Sequence, residues 1–340
     1  MKLKIVLAVF FLGLDVALAQ SMELCRARAN GALAKECLYI VDQNGVAVSG
    51  ANLWGGLQTG DGYNDFIPIR GISNTNGEYV IEGKCTNRIR CDITLDGYYA
   101  SVFELADYGH THSNGNGRWL PYGSKRVIVL NKILDPMPLC CHNSRISFKI
   151  PVYNEWVGFD CERFDFVRPH GQGQEKDMML RFTLDNTSRD DYHMTMEVSF
   201  TNNPYAGIYE LARNKSSELE SVYHADTNAF YQQSIVYRFD RFPGKVPRYT
   251  QQLTSQNYLV FRTRTRVDAD GRLVSAHYGK IYGDWNFVGP GGMSMELCAF
   301  NPTPNDTNLE DSYTAERSLK RQQSKNAPPY KKKRNTLWPF

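Results

Sequence analysis

The 340-residue chain has no long apolar run after its first twenty residues, no Cys-x-x-Cys, and none of the short motifs that announce common chemistries. The first absence excludes a helical membrane span, which needs about 18 or more apolar residues. The second excludes a thioredoxin-like redox motif and a zinc ribbon. Gly-x-Ser-x-Gly, His-Glu-x-x-His, the Walker loop and the dinucleotide fingerprint are all missing, so no hydrolase, zinc protease or nucleotide site is signed in the usual way. Net charge is small: 39 Lys and Arg against 36 Asp and Glu leave +3. That is too little to argue for a nucleic-acid partner. Hydrophobic residues at 42% and charged residues at 22% exclude a wholly disordered chain, and 27 Gly with 15 Pro exclude a collagen or a linker protein.

What is present points to strands and to export. Tyr (20) and Phe (17) are plentiful, which favours β-structure over helix. Lys2 and Lys4 precede an apolar run, residues 5–14, and Ala17-Leu18-Ala19 is a small-x-small cleavage signature before Gln20. This is the layout of a secretory signal peptide over residues 1–19. The expected location is secreted, extracellular or associated with the cell envelope. Outside the cytoplasm cysteines pair and stay paired, and there are eight of them. Cys85 and Cys91 flank a turn-like tip and are expected to staple a hairpin. Cys25 and Cys37 are the second expected pair.

Turn signals recur every 8–12 residues between short alternating segments, the pattern of an antiparallel sandwich or barrel. Asp42-Gln43-Asn44-Gly45, Asn74-Thr75-Asn76-Gly77 and Asp96-Gly97 punctuate the first third. Asn-Gly and Asp-Gly supply the positive φ that tight turns require. Asp135-Pro136-Met137-Pro138 breaks the pattern and marks a linker. Beyond it, residues 145–150, 178–184, 193–200, 234–239 and 259–267 read as strands. Residues 259–267 and 273–282 form a hairpin about Asp268-Ala269-Asp270-Gly271, with Arg262, Arg264 and Arg266 on one face. Residues 210–223 fit a short helix or an irregular excursion equally well.

Two resemblances follow from these blocks. Val41-Asp42-x-Asn44-Gly45-x-x-Val48-x-Gly50-Ala51-x-Leu53, Thr75-Asn76-Gly77-Glu78-Tyr79 and Leu95-Asp96-Gly97-Tyr98 resemble carboxypeptidase-regulatory-like, transthyretin-like domains. The resemblance covers residues 36–131 and implies a seven-stranded sandwich with no catalytic residue. It departs from the family at Ala47 and in the insertion over residues 58–68. Further blocks, among them Gly117-Arg118-Trp119-Leu120-Pro121-Tyr122, Val157-Gly158-Phe159-Asp160, Phe261-Arg262-Thr263-Arg264-Thr265, Tyr278-Gly279-Lys280-Ile281-Tyr282-Gly283 and Asn301-Pro302-Thr303-Pro304-Asn305-Asp306, resemble a family of secreted bacterial proteins with a transthyretin-like N-terminal half. That resemblance attaches no activity. Cys161 and Cys298 stand where it implies apolar or aromatic residues, which leaves open a disulfide of this chain's own. The expected fold is all-β: a transthyretin-like β-sandwich over residues 20–131, a second antiparallel β-sandwich-like domain over 132–311, and a basic disordered tail over 312–340.

Residues 320–340 hold seven Lys and Arg and no acid, so the small net charge conceals an acidic body and a basic end. Lys331, Lys332, Lys333 and Arg334 would tether the chain electrostatically to an anionic glycan, lipid or envelope polymer. His110-x-His112 has metal-like spacing on a strand but sits in a loop-like stretch with no third ligand in view. Intradiol dioxygenases carry a related sandwich with Tyr and His ligands to iron; Tyr108, His110 and His112 resemble a fragment of that set, and the remaining spacing does not follow it. Cys140-Cys141-His142 offers a thiol beside an imidazole. Asp160, Glu162 and Asp165 lie close in sequence, and Asp284 sits beside Trp285, as paired carboxylates of a glycosidase would. Among the tryptophans Trp119 is the most loop-like, and is expected to be a glycan-stacking platform. No cofactor and no catalytic residue are expected. The leading expectation is a secreted non-catalytic interaction or scaffold protein with carbohydrate as its ligand class. The alternative is a metal- or carboxylate-dependent extracellular enzyme acting on a polysaccharide or an aromatic substrate.

Overall fold

The structure, a computed structural model, describes residue 22 and residues 24–326 apart from 61–64, 106–112, 115–116, 143–145, 189, 201–203, 247, 251–255, 284–285, 288–290 and 296. The signal peptide, His110, His112, Asp284 and the Lys331–Arg334 cluster therefore lie outside the described residues. The fold is all-β, built from several mainly antiparallel sheets. It divides into two compact units. One takes residues up to Ile133 with Ser216–Glu218 and those from Arg317 on; the other takes Leu134–Lys215 and Leu219–Glu316.

In the first unit a helix, α1 (residues 24–30), precedes nine strands among the described residues. These are β1 (Ala32–Asp42), β2 (Asn52–Gln58), β3 (Phe66–Ile72), β4 (Glu78–Cys85), β5 (Ile89–Thr94), β6 (Ser101–Leu105), β7 (Ser113–Asn114), β8 (Arg118–Trp119) and β9 (Ser124–Leu130). β4, β1, β8 and β7 form one sheet, with β9 parallel to β1. β3, β2, β5 and β6 form another. Strand alternation decides which side chains meet: β1 turns Ala32, Ala34, Leu38 and Ile40 inward onto Leu53, Leu57, Ile81, Ile89, Ile93 and Leu130. The predicted turns form by the expected chemistry. Asp42 Oδ1 accepts from the N–H groups of Asn44 (2.8 Å) and Val46 (3.0 Å), and Asn74 Oδ1 does the same for Asn76 and Glu78. Gly77 needs to be glycine twice over: φ is +73°, and a Cβ there would lie 2.3 Å from the Ile40 carbonyl oxygen.

Two expectations fail in this unit. Residues 86–88 do not close a hairpin, because β4 pairs with β1 while β5 pairs with β2 and β6 in the other sheet. Cys85 and Cys91 are both fully buried free thiols in the core, and Cys25 (on α1) and Cys37 (on β1) are free as well. The basic tail does not begin at 312, because Ser312–Asn326 is a helix, α2. Asp311 caps it, accepting from Thr314 N–H at 2.7 Å. Within the first unit Ser318 accepts from Ala100 N–H (2.7 Å), Gln322 donates to the Tyr98 carbonyl (2.7 Å), and Arg321 pairs with Asp92 (3.0 Å) and Glu218 (2.9 Å). Polar residues that look solvated in sequence are thus the buried face of α2.

The second unit holds β10 (Cys140–His142), β11 (Ile146–Lys149), β12 (Trp156–Asp160), β13 (Asp165–Phe166), β14 (Met178–Ser188), β15 (Asp191–Ser199), β16 (Gly207–Ala212), β17 (Ser234–Arg241), β18 (Arg248–Thr250), β19 (Asn257–Val267), β20 (Leu273–Tyr282), β21 (Asn286–Phe287), β22 (Gly292–Met295) and β23 (Leu297–Phe300). β13-β12-β14-β15-β17-β18 is one sheet, β10-β23-β20-β19-β16 a second, and β11-β22-β21 a third. They share a core in which Phe159 meets Phe148, Phe164 and Phe166 edge-on, with centroids 5.6 Å apart in each case. Residues 210–223 contain no helix: they begin in β16 and continue as turns. On the other face of the five-stranded sheet Lys280 is fully buried. It donates to the Leu309 carbonyl (2.6 Å) and Ser221 Oγ (3.0 Å) and lies 3.6 Å from Asp311 Oδ2. Burial opposes its charge, but Tyr282 and Asp311 outweigh burial and hold its pKa above the ordinary lysine value.

Candidate functional site

A polar cleft of about 810 Å³ lies in the second unit. One wall is the segment entering β14, with Gln174, Glu175, Lys176 and Asp177. The other is the β19–β20 hairpin, with Thr263, Arg264, Thr265, Arg266, Ser275 and His277; Ala206 and Pro304 complete it.

β19 is irregular where it lines the cleft. Its register with β20 slips between Thr263 and Arg266, and Arg264 adopts φ +50°. A bulge of this kind re-aims a side chain. Strict alternation would put Arg264 opposite Phe261 and Thr263. Instead Thr263 Oγ1 donates to the Asp177 carbonyl (2.9 Å), and Arg264 reaches the same residue with Nε at 2.8 Å from Oδ1 and Nη2 at 3.1 Å from Oδ2. The Arg264 guanidinium also meets Glu162 (2.6 Å) and Asp160 (3.4 Å), and stands 4.4 Å from the Phe300 ring centroid.

The two buried carboxylates at this guanidinium shift in opposite directions. Asp160 is buried, which raises its pKa, but backbone N–H groups of Gln174, Arg163 and Glu175, with Arg264, outweigh burial and hold it below the usual carboxylate range. Asp177 is more deeply enclosed; burial raises its pKa, and the Arg264 pair and the Cys161 N–H (2.9 Å) only partly offset that. Glu162 is half exposed. Arg264 remains charged, since its carboxylate partners outweigh burial.

His277 stands on the hairpin wall with Arg264 and Arg266. Its ring stacks on Phe300 at 11° with centroids 5.5 Å apart. Nδ1 lies 3.2 Å from the Asn301 carbonyl oxygen; donating there leaves Nε2 as the basic nitrogen. Stacking and hydrogen bond together fix the ring. Glu175, Lys176 and Arg266 are exposed on the cleft walls.

The predicted site residues distribute differently. Trp119 is not a platform: it is fully buried and donates Nε1–H to the Cys85 carbonyl at 2.7 Å. Its loop-like neighbours concealed a core residue. Trp54 and Trp156 are the exposed tryptophans among the described residues, at 50% and 41%, and Trp156 carries Arg181 over its ring at 4.9 Å. Asp160 does come to the cleft region, as a buried organiser of the loop rather than a free acid. Asp165 accepts from Phe166 and Gln172 N–H groups. Cys141 is pushed up to about 12 by burial, and Cys140 is raised for the same reason, so neither is an activated nucleophile. Among the described residues no three His, Cys, Asp or Glu side chains gather as a metal-holding set, and no helix is long and apolar enough to cross a membrane. Asp177 and His277 were not anticipated. The Thr263-Arg264-Thr265-Arg266 run was the available signal for the first, and nothing in sequence marks the second.

No family model matches the chain, and no curated protein does. Solved structures that it is similar to include 3-chlorocatechol 1,2-dioxygenase from Rhodococcus opacus 1CP (10% identity, 31% of this chain and 62% of that one, TM-score 0.25). The dioxygenase domain of a dioxygenase–carbohydrate-binding protein fusion from Streptomyces sp. SirexAA-E is another (13% identity, 31% and 83%, TM-score 0.24). A third is hydroxyquinol 1,2-dioxygenase from Pseudomonas putida DLL-E4 (15% identity, 31% and 58%, TM-score 0.22). The chain spans less than two thirds of the length of the first two structures it matches. The solved structures named here are enzymes, whereas the sequence analysis expected a non-catalytic chain. No dioxygenase activity is carried over from them.

Proposed function

We propose that this chain is an exported enzyme acting on a polysaccharide in the cleft of its second unit. The observation that carries the reading is the cleft's lining. At about 810 Å³ it has the size of a ligand site, roughly 300–1,000 Å³. Its walls are amide, hydroxyl, carboxylate, ammonium, guanidinium and imidazole groups, with Ala206 and Pro304 as the small apolar members. Such walls suit a hydroxyl-rich ligand better than a planar aromatic one, which needs apolar faces to bury. Proton transfer at a glycosidic bond requires an acid and a base that face the substrate. Glu175 and His277 line the cleft, and the fixed ring of His277 presents one basic nitrogen. The Asp160–Arg264–Asp177 cluster acts beneath them by holding both walls in place.

The test is reducing-end release from a panel of neutral and acidic polysaccharides by the purified chain. Release that is lost in His277→Ala and in Glu175→Gln, with glycan retention kept, supports the reading. No release and no retention across the panel would overturn it.

A further inference from the structure

We propose that Cys161 and Cys298 form a disulfide that staples two sheets of the second unit together beneath the cleft. Cys161 follows the last residue of β12, in the six-stranded sheet, and Cys298 lies in β23 of the five-stranded sheet. Both are fully buried, and both are free thiols in the structure, as the other cysteines are, so the bond is a proposal about the oxidised protein. Cys298 Sγ lies 3.9 Å from the Cys161 carbonyl oxygen, and the two thiols are in hydrogen-bond contact with each other. The two sulfurs meet in the core of the unit, with Asp177 and Asp160 as charged neighbours of Cys161. Cys85 and Cys91, a pair suggested by sequence, lie on β4 and β5 in different sheets.

The chemistry is a thiol–disulfide exchange. One thiolate attacks a small-molecule or protein disulfide and releases one reduced thiol. The second cysteine then attacks that mixed disulfide and releases the other. Two thiols lose two protons and two electrons, and the oxidant becomes two thiols. The natural source of the oxidant rests on the export reading above; the pairing itself does not. Burial raises the Cys161 thiol, which suppresses the thiolate. The bond therefore forms during folding, before the core closes over the pair. Its place gives it a second effect. The Cys161 N–H donates to Asp177 Oδ2 at 2.9 Å, and Asp160 is its chain neighbour, so the bridge anchors the carboxylates that hold Arg264.

The experiment is refolding of the reduced, denatured full chain in a reduced/oxidised glutathione buffer, with a parallel sample refolded in excess reductant. Both are denatured in an alkylating reagent without reductant and mapped by peptide mass. In the glutathione sample the Cys161 and Cys298 peptides are expected as one linked species lacking two hydrogens, with no alkyl label on either. In the reductant sample both carry the label. Cys298→Ala is expected to restore the label on Cys161. Alkylation of both residues in the glutathione sample would overturn the proposal, as would linkage of Cys298 to Cys140 on the adjacent strand. A linked pair in buffer together with labelled thiols in protein taken from an exporting host would leave the pairing standing and remove the export reading.

Discussion

Replacing Arg264 tests the physical account of the cleft most directly. Arg264→Met keeps the apolar stem over Phe300 and removes the guanidinium. Asp177 (0% exposed) and Asp160 (2% exposed) then keep their carboxyl groups without a cation. Removing one partner of a buried ion pair costs about 3–5 kcal/mol. Asp160 retains its backbone N–H donors, so most of that loss falls on Asp177, which keeps the Cys161 N–H while the Thr263 hydroxyl is donated at closer range to its backbone carbonyl. With a urea dependence of about 2 kcal/mol per molar, the unfolding midpoint of the second unit drops by about 1.5–2.5 M. The assay is urea unfolding followed by tryptophan fluorescence, since Trp156 belongs to this unit. Two controls fix the cause. Arg264→Met with Asp177→Asn removes both charges, and is expected to recover at least half of the loss. Lowering the pH toward 4 is expected to narrow the gap between Arg264→Met and the parent, because a carboxyl whose folded pKa is raised takes up its proton first in the folded state. A loss below about 1 kcal/mol, or no recovery in the double variant, would refute the reasoning.

Trp119→Phe removes the N–H that satisfies the Cys85 carbonyl and should cost about 1–3 kcal/mol in chemical denaturation, while leaving glycan retention unchanged. Lys280→Met leaves Asp311 buried beside a methyl group and should destabilise by about 3–5 kcal/mol, read by denaturation at neutral pH. Gly279→Ala would place a Cβ 2.2 Å from Phe261 Cζ and 2.6 Å from the Ala299 carbonyl oxygen, an overpacking of about 1–3 kcal/mol visible as a lower Tm. His193 is hydrogen-bonded to Asp240 at 2.7 Å, a contact that raises its pKa. The stability this contributes is present below the unfolded histidine pKa and is lost as pH rises through the folded one. Asp240→Asn should lower the His193 titration midpoint measured by NMR.

Strand identity was legible because it is local. Alternating side chains over residues 178–184, 193–200, 259–267 and 273–282 and the Asx-Gly turns between them are properties of a few neighbouring residues, and β14, β15, β19 and β20 lie where that pattern puts them. Where a side chain ends up was less legible. Trp119 sits among glycines and a proline, yet its indole closes the first unit's core. Lys320, Arg321 and Gln322 look like part of a solvated basic run, yet Arg321 and Gln322 are the anchoring face of α2.

The sequence alone determined that this protein is all-β, since turn chemistry and alternation act over two to five residues and need no tertiary partner. Tertiary structure decided which sheet each strand joins, and so separated β4 from β5 and Cys85 from Cys91. It also decided the cleft. A one-residue slip in β19 turns Arg264 onto the side of Thr263, where Asp160 and Asp177 approach from residues about a hundred positions away in sequence. A period-two pattern predicts the opposite face, because strand alternation carries no information about a bulge whose stabilising contacts come from another sheet.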